Sequence, residues 1–329
     1  MKDILEYLFS YNTLRKEEAK SIMLQIPSGT FNDFEITSFM SVFMMRSITI
    51  EELRGFTEAL KQKAVAVDLG TTDLVDIVGT GGDGKNTFNI STLACFVVAG
   101  AGQKVAKHGN VGASSISGSS NVMQHLGVQF YQDSEKLRAQ LEASNLCFLH
   151  APLFHPSLKS VAPMRKQLGF RTFFNMLGPL VNPANPDHAT LGVYNMETAR
   201  LYNYYLQQEK EHFTVVHSLD GYDEISLTGE SLLMDENGTH LHSPSEFGVK
   251  TIKPEELYGG NTQEEAATLF RNILEGKGTE AQNNVVITNA AIALQTTQKF
   301  GDFTDCFKLA DQSLKQGSAL ECLNKLIAV

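Results

Sequence analysis

The sequence predicts an α/β protein: a mostly parallel central sheet flanked by helices, with a small all-α domain built mainly from the N-terminus. Two observations support this prediction. Residues 1–68 show helical patterns throughout, whereas short apolar runs alternate with helical segments from residue 74 onward. Strands that alternate with helices at this spacing are typical of βαβ units, whose strands pair in parallel.

Helix start signals and apolar spacing predict the N-terminal helices. Thr49-Ile50-Glu51-Glu52 is a capping box, a Thr followed three residues later by Glu, and Asn32-Asp33-Phe34-Glu35 is a similar start. Between them, apolar residues at helical spacing predict a face buried in a core or in a dimer interface. This stripe comprises Phe34, Ile36, Phe39, Met40, Phe43 and Met44.

From residue 74 onward, the pattern predicts alternating strands and helices. The predicted strands are 74–78, 104–107, 146–149, 189–193, 213–217 and 285–288. The predicted helices are 89–101, 119–126, 134–144 and 304–327, the last one broken near Gly317. Residues 232–242, with Glu236-Asn237-Gly238 in the middle, predict a β-hairpin. The change of pattern places a domain boundary at 68/69, and we expect part of 155–185 to join the helical domain.

Composition argues against several classes of protein. The formal net charge of −10 over 329 residues disfavours non-specific nucleic-acid binding, which needs clustered Lys and Arg. Four cysteines that form no C-x-x-C pair predict free buried thiols in a reducing cytosol and no zinc. Charges interrupt the first apolar runs, and no run approaches the roughly 20 residues that span a bilayer. We therefore expect a cytoplasmic protein with no membrane contact.

A glycine-rich loop at 79–84 follows the first predicted strand. Four glycines in six residues let backbone N–H groups converge without Cβ obstruction, which makes an anion-binding nest. The helix that begins near Asn89 adds unpaired N–H donors and a partial positive charge. Thr87, Ser91 and Thr92 add hydroxyl donors. The alternative interpretation of the loop is a plain tight turn before a capped helix.

A second loop follows the second predicted strand. Lys107-His108-Gly109-Asn110 ends that strand, and a Ser/Gly-rich stretch at 114–120 leads into the next helix. Two anion loops at the carboxyl ends of neighbouring strands fit the ligand crevice of open α/β sheets. One anion loop suffices for one phosphate. Two loops therefore predict a phosphorylated sugar that carries pyrophosphate at one end and a 5-phosphate at the other.

Two further segments contain charged groups that suit an organic acid and a metal ion. Arg165 and Arg171 are guanidiniums beside apolar residues, which suits an aromatic carboxylate. The alternative for each is a surface ion pair. Asp223 and Glu224 are adjacent carboxylates after a glycine turn and could hold Mg²⁺ together with substrate phosphates. The alternative here is a solvated acidic turn.

Together, these segments resemble anthranilate phosphoribosyltransferase over nearly the whole chain. The family's motifs occur here in order: G-T-G-G-D-G followed by T-x-N-x-S-T, K-H-G-N, H-P-x-x-K, P-x-R-x-x-L-G-x-R-T-x-F-N-x-L-G-P-L-x-N-P and a D-E pair. The chain departs from the family at Val111, Ile116 and Asn121, where charged residues are usual. At these three positions, the resemblance therefore does not imply a charged contact with the substrate.

The resemblance implies that the chain transfers the phosphoribosyl group of 5-phosphoribosyl 1-pyrophosphate (PRPP) to the amine of anthranilate. The products are N-(5-phosphoribosyl)anthranilate and pyrophosphate, in tryptophan biosynthesis. The implied PRPP ligands are Gly79, Gly82, Asp83, Thr87, Asn89, Ile90, Ser91, Thr92, Lys107, Ser115 and Ser119. The implied anthranilate contacts are Gly79, Asn110 and Arg165, and the implied ligands of two Mg²⁺ ions are Ser91, Asp223 and Glu224. No residue is assigned as a general acid or base.

The resemblance also implies a homodimer formed through the helical domain at 1–68, with catalysis in the α/β domain at 69–329. Two alternatives remain open. A pyrimidine nucleoside phosphorylase shares the architecture, but its anion is phosphate and it has no obvious need of a D-E pair. A non-catalytic relative that binds nucleic acid is disfavoured by the net charge of −10.

Overall fold

The computed structural model of the protein describes residues 1–112 and 116–329. The chain divides into two compact units. Residues 1–66 and 151–183 form the first unit, and residues 67–150 and 184–329 form the second. The first unit is therefore built from two separate stretches of chain, and the second unit is interrupted by the 151–183 segment.

The helices of both units are numbered in chain order. They are α1 (Lys2–Phe9), α2 (Lys16–Gln25), α3 (Asp33–Met45), α4 (Ile50–Lys63), α5 (Ile90–Gly100), α6 (Ser119–His125), α7 (Ser134–Ser144), α8 (Ala151–Phe154), α9 (Ala162–Leu168), α10 (Phe174–Leu177), α11 (Met196–Glu209), α12 (Gln263–Leu274), α13 (Glu280–Thr296), α14 (Phe303–Lys315) and α15 (Ser318–Ala328). Short 3-10 helices lie at Ile26–Ser28, Pro156–Lys159, Gly178–Leu180, Pro244–Phe247 and Pro254–Leu257.

The second unit contains a seven-stranded sheet in the order β3-β2-β1-β4-β5-β6-β7. Its strands are β1 (Val75–Gly79), β2 (Val105–Gly109), β3 (Leu146–His150), β4 (His188–Gly192), β5 (His212–Ser218), β6 (Ser231–Asp235) and β7 (Gly238–His242). The first five strands run parallel, and β6 and β7 are the antiparallel hairpin. The predicted fold class, a mostly parallel sheet with an N-terminal helical unit, is confirmed.

A buried cluster of phenylalanines fills the core of the first unit. Phe39 on α3 and Phe56 on α4 lie with ring centroids 6.0 Å apart, in an edge-to-face arrangement. Phe173, from the 151–183 segment, lies 4.9 Å from Phe56 and 4.8 Å from Phe43. Aromatic pairs of this kind contribute about 0.5–1.5 kcal/mol each beyond the burial of their surface. The later segment therefore completes a core that the N-terminal helices begin.

The predicted apolar stripe on α3 is buried on one side only. Ile36, Phe39 and Met40 have 3 % of their surface exposed or less, as a core face requires. Phe34 is 86 % exposed and Met44 is 47 % exposed in the single chain. The stripe thus supplies both core residues and an apolar surface.

Both predicted capping boxes are confirmed, and the one at α4 is extended by a buried ion pair. Glu52 is fully buried, and its carboxylate accepts hydrogen bonds from Thr49 N at 2.9 Å and from Leu14 N at 3.0 Å. Arg46 donates to the same carboxylate at 2.6 and 2.9 Å. Burial alone would raise the pKa of Glu52, but these hydrogen bonds outweigh it and leave the pKa below its usual value.

Two apolar helices, α5 and α13, form the centre of the core in the second unit. Both are buried around most of their surface, which is typical of helices enclosed by other elements. α5 packs against β1 and β2 on one side and against α13, α14 and α15 on the other. This packing fixes the position of the first turn of α5 relative to the loop after β1.

The predicted strand at 285–288 is wrong, because these residues lie within α13. Val285-Val286-Ile287-Thr288 is β-branched throughout, and a short run of this kind cannot be distinguished by composition from a buried helical turn. A capping box starts the helix: Gln282 N donates to Thr279 Oγ1 at 3.2 Å, and Thr279 N donates to Gln282 Oε1 at 2.9 Å. The other predicted elements are confirmed to within two residues at each end.

All four cysteines are buried and free, as predicted. Burial raises the pKa of Cys95 and of Cys147 to about 12, so neither thiol ionises readily. Among the described helices, none combines the length and the apolar character that crossing a membrane would require.

We expect Glu52→Ala to lower the free energy of unfolding by about 3–5 kcal/mol, since the substitution leaves the Arg46 guanidinium, 13 % exposed, without its carboxylate. Urea unfolding followed by far-ultraviolet circular dichroism measures this change. Glu52→Gln keeps an acceptor but removes the charge, so we expect a smaller loss at neutral pH.

The same pair predicts a pH dependence with a definite sign. Because the folded-state pKa of Glu52 is lowered, its stabilising effect is present above the unfolded value of 4.5 and is lost as pH falls through the lower folded value. The difference in stability between the wild-type chain and Glu52→Gln should therefore narrow in acid. A difference that stays constant with pH would contradict the assignment.

Candidate active site

The candidate site lies at the carboxyl end of the parallel strands, where the strand order reverses between β1 and β4. From β1 the chain continues to β2 and β3 on one side, whereas β4 and β5 lie on the other. Connections that leave in opposite directions open a crevice outside the carboxyl ends of the two central strands. The glycine loop at 79–84 follows β1 into this crevice.

Two glycines allow the acidic segment to approach the ends of these strands. Gly79 and Gly192 are paired in register at the carboxyl ends of β1 and β4. A Cβ at Gly192 would lie 1.6 Å from the main-chain oxygen of Asp223, and a Cβ at Gly79 would lie 2.2 Å from Asp223 Oδ2. Real Cβ atoms do not approach other atoms this closely, so these contacts need glycine at both positions. The sequence analysis did not identify Gly192.

The two acidic side chains bind the glycine loop and the helix that follows it. Asp223 Oδ2 accepts a hydrogen bond of 2.7 Å from Gly81 N, within the loop. Glu224 Oε1 accepts one of 2.9 Å from Ser91 N, in the first turn of α5. The two carboxylates thus connect the loop after β1 to the helix that follows it.

The carboxylates lie in an environment that disfavours their charge. Burial, together with the nearby charge of Asp83, raises the pKa of Asp223 to about 7. Burial also raises the pKa of Glu224 well above its usual value, with Asp223 adding to the effect. Lys107 offsets only part of this repulsion. The cluster therefore favours any cation that can approach it.

Lys107 is buried on β2, with 2 % of its surface exposed. Its ammonium donates to the main-chain oxygen of Ile77 on β1 and to Ser91 Oγ, the latter at 3.3 Å. The positive charge is thus fixed between β1 and the first turn of α5. From there it acts on the acidic pair and on Ser91.

Most of the predicted site residues line one cleft of about 130 Å³. Those that line it are Gly79, Gly82, Asp83, Thr87, Asn89, Ser91, Thr92, Ser119, Asp223 and Glu224. Ile90 begins α5 beside them and is buried. The cleft also contains Lys85, which the sequence analysis missed, with Nζ 4.7 Å from the centre of the Tyr222 ring. The sequence could have indicated Lys85 as a site residue, because it directly follows the last glycine of the G-T-G-G-D-G loop.

The second loop joins the first through uncharged contacts. Asn89 Nδ2 donates to Ser117 O at 3.1 Å. Asn121 Oδ1 accepts from Gly112 N at 2.9 Å and from Gly118 N at 3.0 Å, so it closes the loop that it follows. Asn121, a departure from the family pattern, therefore has a structural role that needs no charge.

The predicted anthranilate contact Asn110 lies at the end of β2, where its carbonyl accepts from Ser120 N at 3.0 Å and from Ser119 Oγ at 3.3 Å. Val111 and Ile116, the other two departures, are both exposed. Ser115, a predicted PRPP ligand, lies outside the described residues.

Arg165 lies in the first unit, on α9. One of its terminal nitrogens, Nη2, donates to Asn175 Oδ1 at 3.2 Å. Its guanidinium carbon lies 5.7 Å from the centre of the Phe174 ring. Burial lowers the pKa of Arg165. The arrangement matches the predicted guanidinium beside apolar surface.

No group of three or more His, Cys, Asp or Glu residues arranged to hold a metal ion occurs in 1–112 and 116–329. This is compatible with Mg²⁺, which takes one or two carboxylates and completes its shell with water and substrate phosphates. The oxygen donors of Asp223, Glu224 and Ser91 are the hard ligands that Mg²⁺ prefers.

Comparisons with known proteins match both units of the chain. Residues 2–64 match the helical bundle domain of the glycosyl transferase family, and residues 71–320 match its a/b domain. An anthranilate phosphoribosyltransferase from Flavobacterium johnsoniae is 52% identical over 326 residues, covering 99% of this chain and 98% of the relative.

Solved structures show the same similarity. The anthranilate phosphoribosyltransferase of Thermus thermophilus has a TM-score of 0.92 at 34% identity, covering 98% of both chains. The Saccharomyces cerevisiae enzyme in complex with PRPP and Mg has a TM-score of 0.90 at 27% identity, covering 98% of this chain and 96% of the other.

We expect Gly192→Ala to weaken ligand binding in the cleft strongly, because its Cβ would displace the main chain of Asp223. Activity dependent on Mg²⁺ should fall about 100-fold or more, with a lowered midpoint of thermal unfolding. Gly229→Ala is the matched control in the same segment, because the nearest atom to its Cβ would be Asp220 Oδ2 at 3.8 Å. Equal activity of the two variants would refute the steric argument.

Proposed function

The chain belongs to the anthranilate phosphoribosyltransferase family, and we propose how its residues transfer the phosphoribosyl group of PRPP to the amine of anthranilate. One observation carries this proposal. Donors that favour an anion line the same cleft as two carboxylates that repel one, the buried Asp223 and the half-buried Glu224. A ligand that brings both phosphate and a cation satisfies the two requirements together, and PRPP with Mg²⁺ is such a ligand.

The glycine loop and the second loop would hold PRPP through main-chain N–H groups and hydroxyls. Gly81, Gly82 and Gly84 have positive φ angles of 65°, 78° and 76°, a conformation that glycine adopts without strain. This conformation turns successive N–H groups toward one side, as in anion-binding nests. The proposed PRPP ligands are Gly79, Gly82, Asp83, Thr87, Asn89, Ile90, Ser91, Thr92, Lys107, Ser115 and Ser119.

Asp223, Glu224 and Ser91 would hold Mg²⁺ against the pyrophosphate. Bound there, Mg²⁺ would neutralise charge on the leaving pyrophosphate. Hydrogen bonds within the chain already orient these carboxylates: Gly81 N fixes one oxygen of Asp223, and Ser91 N fixes one oxygen of Glu224. Lys107 holds the Ser91 hydroxyl. A count of two Mg²⁺ ions stays a prediction.

Gly79, Asn110 and Arg165 would contact anthranilate, with Arg165 pairing with the carboxylate. At the amine, a bond forms from nitrogen to C1 of the ribose as the bond from C1 to the pyrophosphate oxygen breaks. C1 passes through an oxocarbenium-like state, as in glycoside cleavage. The aromatic amine is neutral at pH 7, so its lone pair can attack C1 directly. The nitrogen then loses one proton, which water or the leaving pyrophosphate can accept, so no residue is assigned as a general base. Positioning of the two substrates supplies most of the effect.

A homodimer through the helical unit is proposed as well. Large apolar side chains are exposed on this unit in the single chain, and such patches commonly mark protein interfaces. They are Tyr7, Phe9, Tyr11, Phe34, Met44 and Met45. The cytoplasmic location and the absence of nucleic-acid partners stay predictions. The two alternative functions, a pyrimidine nucleoside phosphorylase and a nucleic-acid-binding relative, find no support among the relatives described above.

We expect the wild-type chain with PRPP, anthranilate and Mg²⁺ to consume anthranilate, seen as a fall in its fluorescence, and EDTA to stop the reaction. Glu224→Gln keeps an acceptor for Ser91 N but removes the charge, and we expect kcat/KM to fall about 100-fold. Glu230→Ala removes an exposed carboxylate of the same segment and serves as the control. A folded wild-type chain that leaves the fluorescence unchanged contradicts the function, and an active Glu224→Gln contradicts the metal assignment.

We expect Arg165→Ala to raise the KM for anthranilate about 10- to 100-fold and to leave the KM for PRPP unchanged, because a charge-assisted contact is lost on one substrate only. Initial rates with each substrate varied in turn measure both constants. Lys166→Ala, which removes an exposed charge from the next position of α9, is the control. An effect on kcat alone would count against the carboxylate role.

A further inference from the structure

We propose that Asn175 is a positioning residue, which holds the Arg165 guanidinium in one orientation without neutralising its charge and so sets the affinity for the carboxylate of the acceptor. This inference rests on the proposed role of Arg165. It goes beyond that role because it assigns a function to a side chain for which neither the resemblance nor the comparisons supply one.

Two donors fix the amide of Asn175. Asn175 lies in α10, and its Oδ1 accepts from Thr172 N at 3.2 Å and from Arg165 Nη2 at 3.2 Å. The Thr172 donor is a main-chain group three residues away, so it sets the direction of the oxygen before Arg165 contacts it. The same oxygen then holds one nitrogen of the guanidinium. The orientation of Arg165 therefore follows from the backbone of the turn before α10.

The partners that hold Arg165 carry no charge. In the part of the chain that the structure describes, no carboxylate lies within 4.0 Å of its guanidinium, which contacts the Asn175 amide and the face of Phe174. Burial disfavours this charge. A half-buried guanidinium that contacts only neutral groups carries an uncompensated free energy of desolvation, which an anion bound beside it would offset.

Another arginine of the same unit provides a contrast. Arg46 is also largely buried, but its guanidinium binds Glu52 at 2.6 and 2.9 Å. There the carboxylate neutralises the charge, as a structural role requires. At Arg165 the corresponding acceptor is an amide. The unit thus uses a carboxylate where the arginine supports the fold and an amide where the charge stays available.

The chemistry of the amide explains this choice. A carboxylate at position 175 could accept the same two hydrogen bonds, but it would compete with the substrate for the guanidinium. An apolar side chain would not compete, but it would leave the guanidinium free to rotate. Only an uncharged acceptor of this length orients Arg165 and leaves its charge to the ligand.

The test compares Asn175→Asp with Asn175→Ala. Asn175→Asp preserves both hydrogen bonds, and we expect the KM for anthranilate to rise about tenfold or more, with the KM for PRPP unchanged and kcat within about threefold. Asn175→Ala keeps the charge of Arg165 and loses the orientation, so we expect a smaller rise. Gln167→Asp, an exposed position on α9, introduces the same charge change and should leave both constants unchanged. Fluorescence titration with anthranilate gives the dissociation constants directly.

Three results would overturn the inference. The first is a KM for anthranilate that neither substitution changes. The second is a larger effect of Asn175→Ala than of Asn175→Asp, since the absence of charge at position 175 would then not determine the affinity for the carboxylate. The third is a parallel fall in kcat and thermal stability with no selective change in KM, which indicates a structural role. A wild-type chain that forms no product contradicts the proposed function instead, so the two failures are distinguishable.

Discussion

The close approach of the Asp223 main chain to the carboxyl ends of β1 and β4 is the contact on which the rest of the site depends. The main-chain approach needs the absence of a side chain at Gly192, and the Asp223 carboxylate occupies the place of one at Gly79, which pairs with Gly192 across the two central strands. Through this contact, the Asp223 carboxylate reaches the amide of Gly81, 142 residues earlier in the chain. The reversal of strand order opens the crevice, and the two glycines let the acidic segment enter it.

The site combines groups whose electrostatic preferences oppose each other. Loop amides and the start of α5 favour an anion, whereas Asp83, Asp223 and Glu224 favour a cation. The positive charge of the buried Lys107 offsets only part of the repulsion among these carboxylates. A protein that binds phosphate through a metal ion needs both sets of groups, and the fold brings them together from distant parts of the chain.

Local patterns in the sequence predicted most of the fold and much of the cleft. Helical spacing and capping residues located α3 and α4, and the glycine loop lies where the run after β1 predicts it. The run at 285–288 shows the limit of such patterns. Its β-branched residues have the composition of a strand but lie in a buried helix. The requirement for glycine at position 192 arises only from a contact with Asp223, in a later segment of the chain, which no local pattern contains. Asn175 lies within a family motif and only ten residues from Arg165, but the hydrogen bond between the two side chains becomes visible only in the folded segment.

The division of the helical unit between residues 1–66 and 151–183 has a consequence for synthesis of the chain. Phe173, which completes the aromatic core with Phe43 and Phe56, leaves the ribosome long after α4. At roughly 5–20 residues per second, the N-terminal helices wait on the order of ten seconds for this partner. During that interval, Phe43 and Phe56 lack the ring contact that Phe173 makes in the folded unit. The helical unit begins the chain, but its core cannot be completed until the 151–183 segment has been synthesised.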